Sequence, residues 1–465
     1  MYRIISIYLA FVFFAVIQAS SQERGMFKLE NPMTVEYLKK NIRKKSPRLL
    51  LTPEIERNLK KKLNSDPLAQ SFFMALQSDA AEILKLPLPE RVIRDKKRLL
   101  SVSREMVRRL NTLSLVYRID KDPVILDRIN NELLAVCSFS DWNPSHYLDV
   151  GEMSLAVAIA LDWAKDGLPP ATVEMAERAL IEKGILPSFE GHHHWMEGNG
   201  NWNQVCHGGL IAASIAIADR DPELAAKTIS RALDNMNNVL NEYGPHGVYR
   251  EGPGYWEYGT SYSVIASSAL TSAFGTDFGL TAFPGFMNSF VFRMLLVAPS
   301  GEWYNFGDNG TNLIADRGRG DHTLAWFNKE GGVTLFTWYA MKTGNPLFFD
   351  RSFFEAKPED PRVRGRFAAP ALIWFSQYKP DKFEPIPLVW KGDGLNPVAI
   401  FRGGQNNPES NPEMFYLAAK GGQAGLGHGN MDAGSFIFEL DGVRWSIDPG
   451  VQGYAQLELA GFDLW

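Results

Sequence analysis

Cysteine is nearly absent: Cys137 and Cys206 are the two in 465 residues, so no disulfide framework can carry the fold. Both fall in helix-like stretches, where a thiol usually serves as a small buried hydrophobe, and whether they pair stays open. Past the N-terminus no apolar run is long enough to cross a bilayer. No low-complexity tract points to disorder, and 45% hydrophobic with 22% charged residues is the balance of an ordinary folded chain. No motif for reading nucleic acid accompanies the basic residues, which argues against a nucleic-acid partner. A strict repeat is missing too, which argues against a consensus solenoid.

The first residues read as an export signal. Arg3 supplies the positive start, residues 4–17 the apolar run, and Ala19-Ser20-Ser21 a small-residue cleavage site. Residues 1–21 are therefore expected to be a signal peptide, with a mature chain that begins near Gln22 and is periplasmic or secreted. A single-pass anchor is the alternative, for which the run is short. The net charge of -5 is uneven, because residues 22–110 carry about +10, an asymmetry that suits polyanion binding. The clusters are Lys39-Lys40, Arg43-Lys44-Lys45, Lys60-Lys61-Lys62 and residues 94–98. Solvated helix faces account for such clusters without any ligand.

From about Pro53 to Phe375 the apolar spacing is helical, as over residues 99–117, 124–137, 151–164 and 208–218. Asp122-Pro123, Gly167-Leu168-Pro169-Pro170 and Asp221-Pro222 punctuate these stretches. The pattern predicts irregular helical hairpins curling round a cleft, an α/α toroid. After the Pro-rich residues 379–387 it changes to short strands over 398–402, 414–418, 435–440 and 443–447, with Asp441-Gly442 as a hairpin turn. The expected fold is α+β and multidomain: an incomplete α/α toroid over residues 22–386, then an antiparallel β-sandwich over 387–465. A sandwich needs more strands than these to close its edges, so it is read as truncated at its C-terminus.

Three segments carry more His, Asn, Tyr, Trp and Gly than packing requires: residues 191–207, 249–262 and 427–436. Each of the first two runs into an apolar helical stretch. Its polar residues thus fall near a helix N-terminus, where N–H groups and the dipole favour an anion such as a sugar carboxylate. Trp195, Trp202, Tyr255 and Trp256 offer flat surfaces for sugar rings, although core packing explains such aromatics as well.

Trp202-Asn203-Gln204-Val205-Cys206 before Gly208-Gly209, Glu251-Gly252-Pro253-Gly254-Tyr255-Trp256 with Tyr258-Gly259, and Gly427-His428 with Asp432 and Gly434-Ser435-Phe436 resemble the heparinase II/III family. The third motif, continuing through residues 442–450, is the most specific. The resemblance runs from about Ser145 to the end and agrees with the order of toroid and sandwich. It implies a polysaccharide lyase that cleaves a uronic-acid-containing glycan, such as heparin or heparan sulfate, by β-elimination.

That reaction needs a neutraliser for the carboxylate, a base for the C5 proton and an acid for the leaving O4. Lyases of this resemblance pair an Asn or His at one helix start with a Tyr at a later one, and add a His from the sandwich. His207 as neutraliser, Tyr262 as base and acid, and His428 as second base or relay fit best. Asn203 with Tyr258 has the same spacing, and His194 with Glu197 and Tyr249 is a third arrangement. His194, Glu197, Trp202, Glu251, Tyr255 and Trp256 are expected to bind substrate, and Gly307-Asp308-Asn309-Gly310 to form a polar turn on the cleft rim. For a lone Tyr or His a structural position explains the residue equally well, and less well for His428, whose glycine neighbours leave the ring little core to join. No cofactor is required. The resemblance also implies a zinc site in the sandwich, for which Asp448 is the tentative ligand, but Asn430 stands where a second His would be needed.

Alternatives remain at this point: an alginate or other uronate lyase, an α/α-toroid glycoside hydrolase using two carboxylates among Glu197, Glu251, Glu257 and Asp308, or a glycan-binding protein without catalysis.

Overall fold

A computed structural model describes residues 26–93, 97–298, 300, 302–309, 332–355, 357, 363–403, 414–451 and 454–462. The expected signal peptide lies outside these residues. Four helices open on a Thr-Pro or Asp-Pro step. They are α2 (Pro53–Ser65), α3 (Pro67–Lys85), α5 (Pro123–Ser138) and α9 (Pro222–Leu240), capped by Thr52, Asp66, Asp122 and Asp221. The cap oxygen takes an N–H that the first turn cannot satisfy, and proline brings the right φ and no surplus donor.

Between them run largely enclosed helices, α4 (Leu100–Asp120), α6 (Leu148–Ala164), α8 (Asn201–Ile217) and α10 (Gly252–Phe274), of which α4 carries the most charged residues. Every residue of α6 is buried, as a helix enclosed by others requires. Helix α4 packs on α6, α6 on α8, and α8 on α10. Contacts continue from α10 to α12 (Gly332–Thr343), to α14 (Ala368–Phe375), and from α14 back to α4. The capped α3, α5 and α9 pack outside this row. The short α1 (Val35–Asn41), α7 (Pro170–Ala179), α11 (Asn288–Leu295), α13 (Arg351–Phe354) and α15 (Tyr454–Leu459) bring the described helices to fifteen.

Helices α6 and α8 meet backbone to backbone. A Cβ added at Gly209 would lie 2.1 Å from the Gly151 carbonyl oxygen, and neither atom belongs to a rotatable side chain. Gly to Ala in a helix ordinarily stabilises by up to about 1 kcal/mol. Gly209→Ala is expected to do the reverse and destabilise by about 1–3 kcal/mol or more through overpacking. A urea midpoint at or above that of the parent chain would contradict this close approach.

The C-terminal part is one five-stranded antiparallel meander, β1 (Val389–Gly392), β2 (Val398–Gly403), β3 (Phe415–Lys420), β4 (Phe436–Leu440) and β5 (Val443–Ser446), in that order. The β4–β5 turn is Asp441-Gly442, with φ of 51° and 77°, the left-handed pair that a tight hairpin demands. Strand β1 is the one the sequence pattern did not reveal. On the inner face Ile400, Tyr416, Ala418 and Ile437 are fully buried, and the Tyr416 hydroxyl donates to the Leu295 carbonyl at 2.8 Å. On the other face Val389, Phe401, Phe415, Phe436, Val443 and Trp445 are all exposed. Among the described residues there is one sheet, with no second one against it. No described helix is long and apolar enough to cross a membrane.

Candidate active site

Polar side chains gather where the enclosed helices begin. Helix α8 starts at Asn201, and its N-terminal charge is met by Glu251. One carboxylate oxygen of Glu251 accepts from the Asn201 N–H (2.7 Å), the Asn201 side-chain amide (3.1 Å) and the Tyr249 hydroxyl (3.1 Å). Helix α10 starts one residue later at Gly252, whose φ of 82° suits glycine. The Gly254 N–H donates to Asn309 at 2.8 Å. Both helix starts thus carry an internal acceptor where the sequence suggested room for a ligand anion.

The loop between β3 and β4 reaches over the α10 start. Asp432 accepts from the Gly307 N–H at 2.7 Å and pairs with Lys420, which ties the loop to the turn at 306–308. Within the loop His428, Asn430 and Met431 have φ of 61°, 49° and 54°. That region is costly for side chains larger than glycine and tends to occur where geometry serves a site. This backbone lays the His428 ring on Tyr255, with centroids 4.0 Å apart and planes 28° from parallel. Asp308 engages His428 Nδ1, and Glu251 Oε1 lies 3.7 Å from Nε2. Tyr255 is half-buried. Burial, then the negative charges of Asp308 and Glu251, push its pKa up, against an opposing pull from Arg104 and Arg98. Its hydroxyl is therefore protonated at neutral pH.

Below Tyr255 on α10 the tyrosines turn inward. Tyr258 donates to Glu152 Oε1 at 3.0 Å and Tyr262 to Oε2 at 2.6 Å. Glu152 is wholly buried, and burial alone would raise its pKa. Arg366 and Arg104 together with the Tyr262 hydroxyl outweigh that and hold it below the ordinary value, so the carboxylate is charged. Burial pushes both tyrosines well above their ordinary range.

The other sequence candidates divide. Trp202, half-buried in the first turn of α8, lies between His146 (centroids 4.8 Å) and His194 (4.9 Å). His194 itself is exposed. Asn203 is fully buried and donates to the Met196 and Asn235 carbonyls at 2.9 and 3.2 Å. His207, also fully buried, donates from Nε2 to the Met196 carbonyl at 3.1 Å and meets Trp195 edge-on. Trp256 is core, edge-on to Phe290. Glu257 is buried against Arg293. Glu197 lines an open groove of about 740 Å³ with Asn199, Asp234, Asn238 and Glu242, which includes none of the residues around His428. The structure therefore brings Tyr255, Glu251, Asp308 and His428 together, and leaves His207, Asn203 and Tyr262 without access to that group.

Burial depresses the His207 pKa to about 3, so it is neutral when folded. An unfolded histidine titrates near 6.5 and binds a proton first. Its contribution to stability is complete above about pH 6.5 and is lost as pH falls toward about 3, by up to about 1.4 kcal/mol per pH unit. His207→Gln should flatten the acid limb of a stability-versus-pH curve by that amount. An unchanged limb would mean the imidazole titrates normally in the fold.

Sequence reasoning did not single out Glu152, Arg104, Arg366, Asn201 or His146. The one signal for Glu152 was a carboxylate opening an otherwise apolar helical run. Asp448 accepts from Ser435 at 2.6 Å and from the Gly450 N–H at 2.9 Å, and Asn430 is exposed. Among the described residues no group of three His, Cys, Asp or Glu is placed to hold a metal. Cys137 and Cys206 are both buried and unpaired with each other.

No family model matches the chain, and no curated protein matches it. A solved structure of a heparinase III, the BT4657 gene product, is similar over 94% of this chain and 62% of that one, at 12% identity and a TM-score of 0.47. This chain thus spans less than two thirds of that structure's length.

Proposed function

We propose that the chain is a polysaccharide lyase that breaks a uronic-acid-containing glycan by β-elimination, with His428 and Tyr255 moving the protons. The observation that carries this reading is the stacked Tyr255–His428 pair at the mouth of the helix row, with Asp308 on Nδ1. A carboxylate at Nδ1 favours the tautomer whose Nε2 carries the lone pair. That nitrogen takes the C5 proton, the C5–H electrons become the C4–C5 double bond, and the C4–O4 bond breaks toward oxygen. Tyr255, protonated at neutral pH, gives its proton to O4. Solvent then returns the proton from His428 to the tyrosine.

The closed order of contacts from α4 through α14 supports an α/α toroid over residues 22–386. The exposed apolar face of the sheet supports one half of a β-sandwich over 387–465. The hydrolase alternative needs two carboxylates facing across a cleft. Glu257 is tied to Arg293, Glu251 caps α8 and Asp308 is tied to His428, which favours elimination. The substrate is a glycosaminoglycan such as heparan sulfate, or alginate, met outside the cytoplasm after export.

Product masses test the reaction. Elimination adds no water, so fragment masses from a uronate oligosaccharide should sum to the parent mass. A sum larger by one water would make the enzyme a hydrolase.

A further inference from the structure

The two carboxylate oxygens of Glu251 face different neighbours. Oε2 is fixed by three donors: the Asn201 N–H at 2.7 Å, the Asn201 side-chain amide at 3.1 Å and the hydroxyl of the fully buried Tyr249 at 3.1 Å. Gly200 closes another side, for a Cβ there would lie 2.5 Å from Oε1. Held in this way, the carboxylate presents Oε1 to His428 Nε2 at 3.7 Å. That separation is too long for a hydrogen bond, so Glu251 acts on Nε2 through its charge and does not fill the nitrogen's hydrogen-bonding position. The ring is fixed as well, by its stack on Tyr255, by Asp308 at Nδ1 and by the tie of its loop through Asp432. His428 therefore has one carboxylate bonded at Nδ1 and a second standing off from Nε2.

A neutral imidazole that takes a proton at Nε2 becomes a cation. Negative charge fixed in advance beside the atom where positive charge develops stabilises the transition state without reorganisation, as a carboxylate held against a catalytic histidine does. We infer that Glu251 is a positioning residue for the proton transfer, stabilising the His428 imidazolium from the Nε2 side. This rests on the lyase reading, in which Nε2 is the base. It gives the cap of α8 a second duty, because the carboxylate that meets the helix start also faces the loop between β3 and β4.

Glu251→Gln tests the assignment. The three donors at Oε2 require an acceptor, so the amide oxygen takes that place and the amide nitrogen turns toward His428. The helix cap survives, while the charge beside Nε2 becomes a hydrogen-bond donor. In the full chain labelled with nitrogen-15 histidine and free of substrate, the His428 Nε2 signal should move. Initial rates on a uronate polymer should show kcat lowered by about 10- to 100-fold with KM within about twofold of the parent. Gly200→Ala keeps every charge and displaces Oε1 by contact; it should lower kcat too, and it serves as the test if the Gln variant fails to fold. An unmoved Nε2 signal, or a moved signal with the parent kcat, refutes the role, and a fall in kcat with an unmoved signal leaves Glu251 as a helix cap alone. A moved signal in a chain whose parent releases no unsaturated product sinks the lyase reading, and the catalytic role of Glu251 with it, but not its contact with His428.

Discussion

On the proposed mechanism, Tyr255→Phe is expected to lower turnover of a uronate polymer by about 10²- to 10⁴-fold, the usual contribution of a positioned proton donor, with little change in unfolding midpoint. The ring that stacks on His428 is kept and only the hydroxyl goes. Tyr262→Phe is expected to behave in the opposite way. Its hydroxyl donates to the buried Glu152 at 2.6 Å, and loss of a hydrogen bond to a charged acceptor destabilises by about 1.5–3 kcal/mol, while the rate per folded molecule stays near that of the parent. Initial rates and urea melts of the two variants side by side separate the roles. Turnover lost in Tyr262→Phe and kept in Tyr255→Phe would return the chemistry to the helix interior.

Glu152→Ala is expected to be the most damaging substitution to stability, at about 3–5 kcal/mol. The side chain is wholly buried, and it accepts from both tyrosines and pairs with Arg366 and Arg104. Its removal takes a counter-charge from the enclosed Arg366 and the acceptor from two tyrosines. Glu152→Gln keeps the shape and should cost less. Chemical denaturation of both variants measures the difference; a loss below about 1 kcal/mol in Glu152→Ala would place these arginines in water rather than in the interior.

Much of the fold was legible because periodicity reports burial. The apolar spacing over residues 99–117 and 151–164 corresponds to α4 and α6, and the alternation after residue 397 to strands β2 to β5. Strand β1 escaped because Val389-Trp390-Lys391-Gly392 is too short to show a period. Asp-Pro steps that read as breaks between helices are helix starts, since the same pair that ends one element caps the next.

The site was legible as segments and not as side chains. Composition marked residues 249–262 and 427–436, and these do meet at Tyr255 and His428. Spacing then favoured His207 and Tyr262, because the apolar run at 208–218 suggested that helix α8 begins near Gly208. It begins at Asn201, so His207 lies two turns inside and faces the Met196 carbonyl. Tyr262 is likewise more than two turns into α10. Glu152 and Arg104 were invisible for a different reason: a charge in a helical run reads as a solvated face until packing encloses it.

In the proposed reaction the Tyr255–His428 pair removes a proton from the carbon bearing a sugar carboxylate. Elimination leaves a double bond conjugated with that carboxylate, which absorbs ultraviolet light. Absorbance should therefore rise when the full chain is mixed with heparan sulfate, chondroitin sulfate or alginate, and should stay flat with Tyr255→Phe or His428→Ala. Chain cleavage of any of these polymers without a rise in absorbance, or a rise that survives both substitutions, would contradict the account.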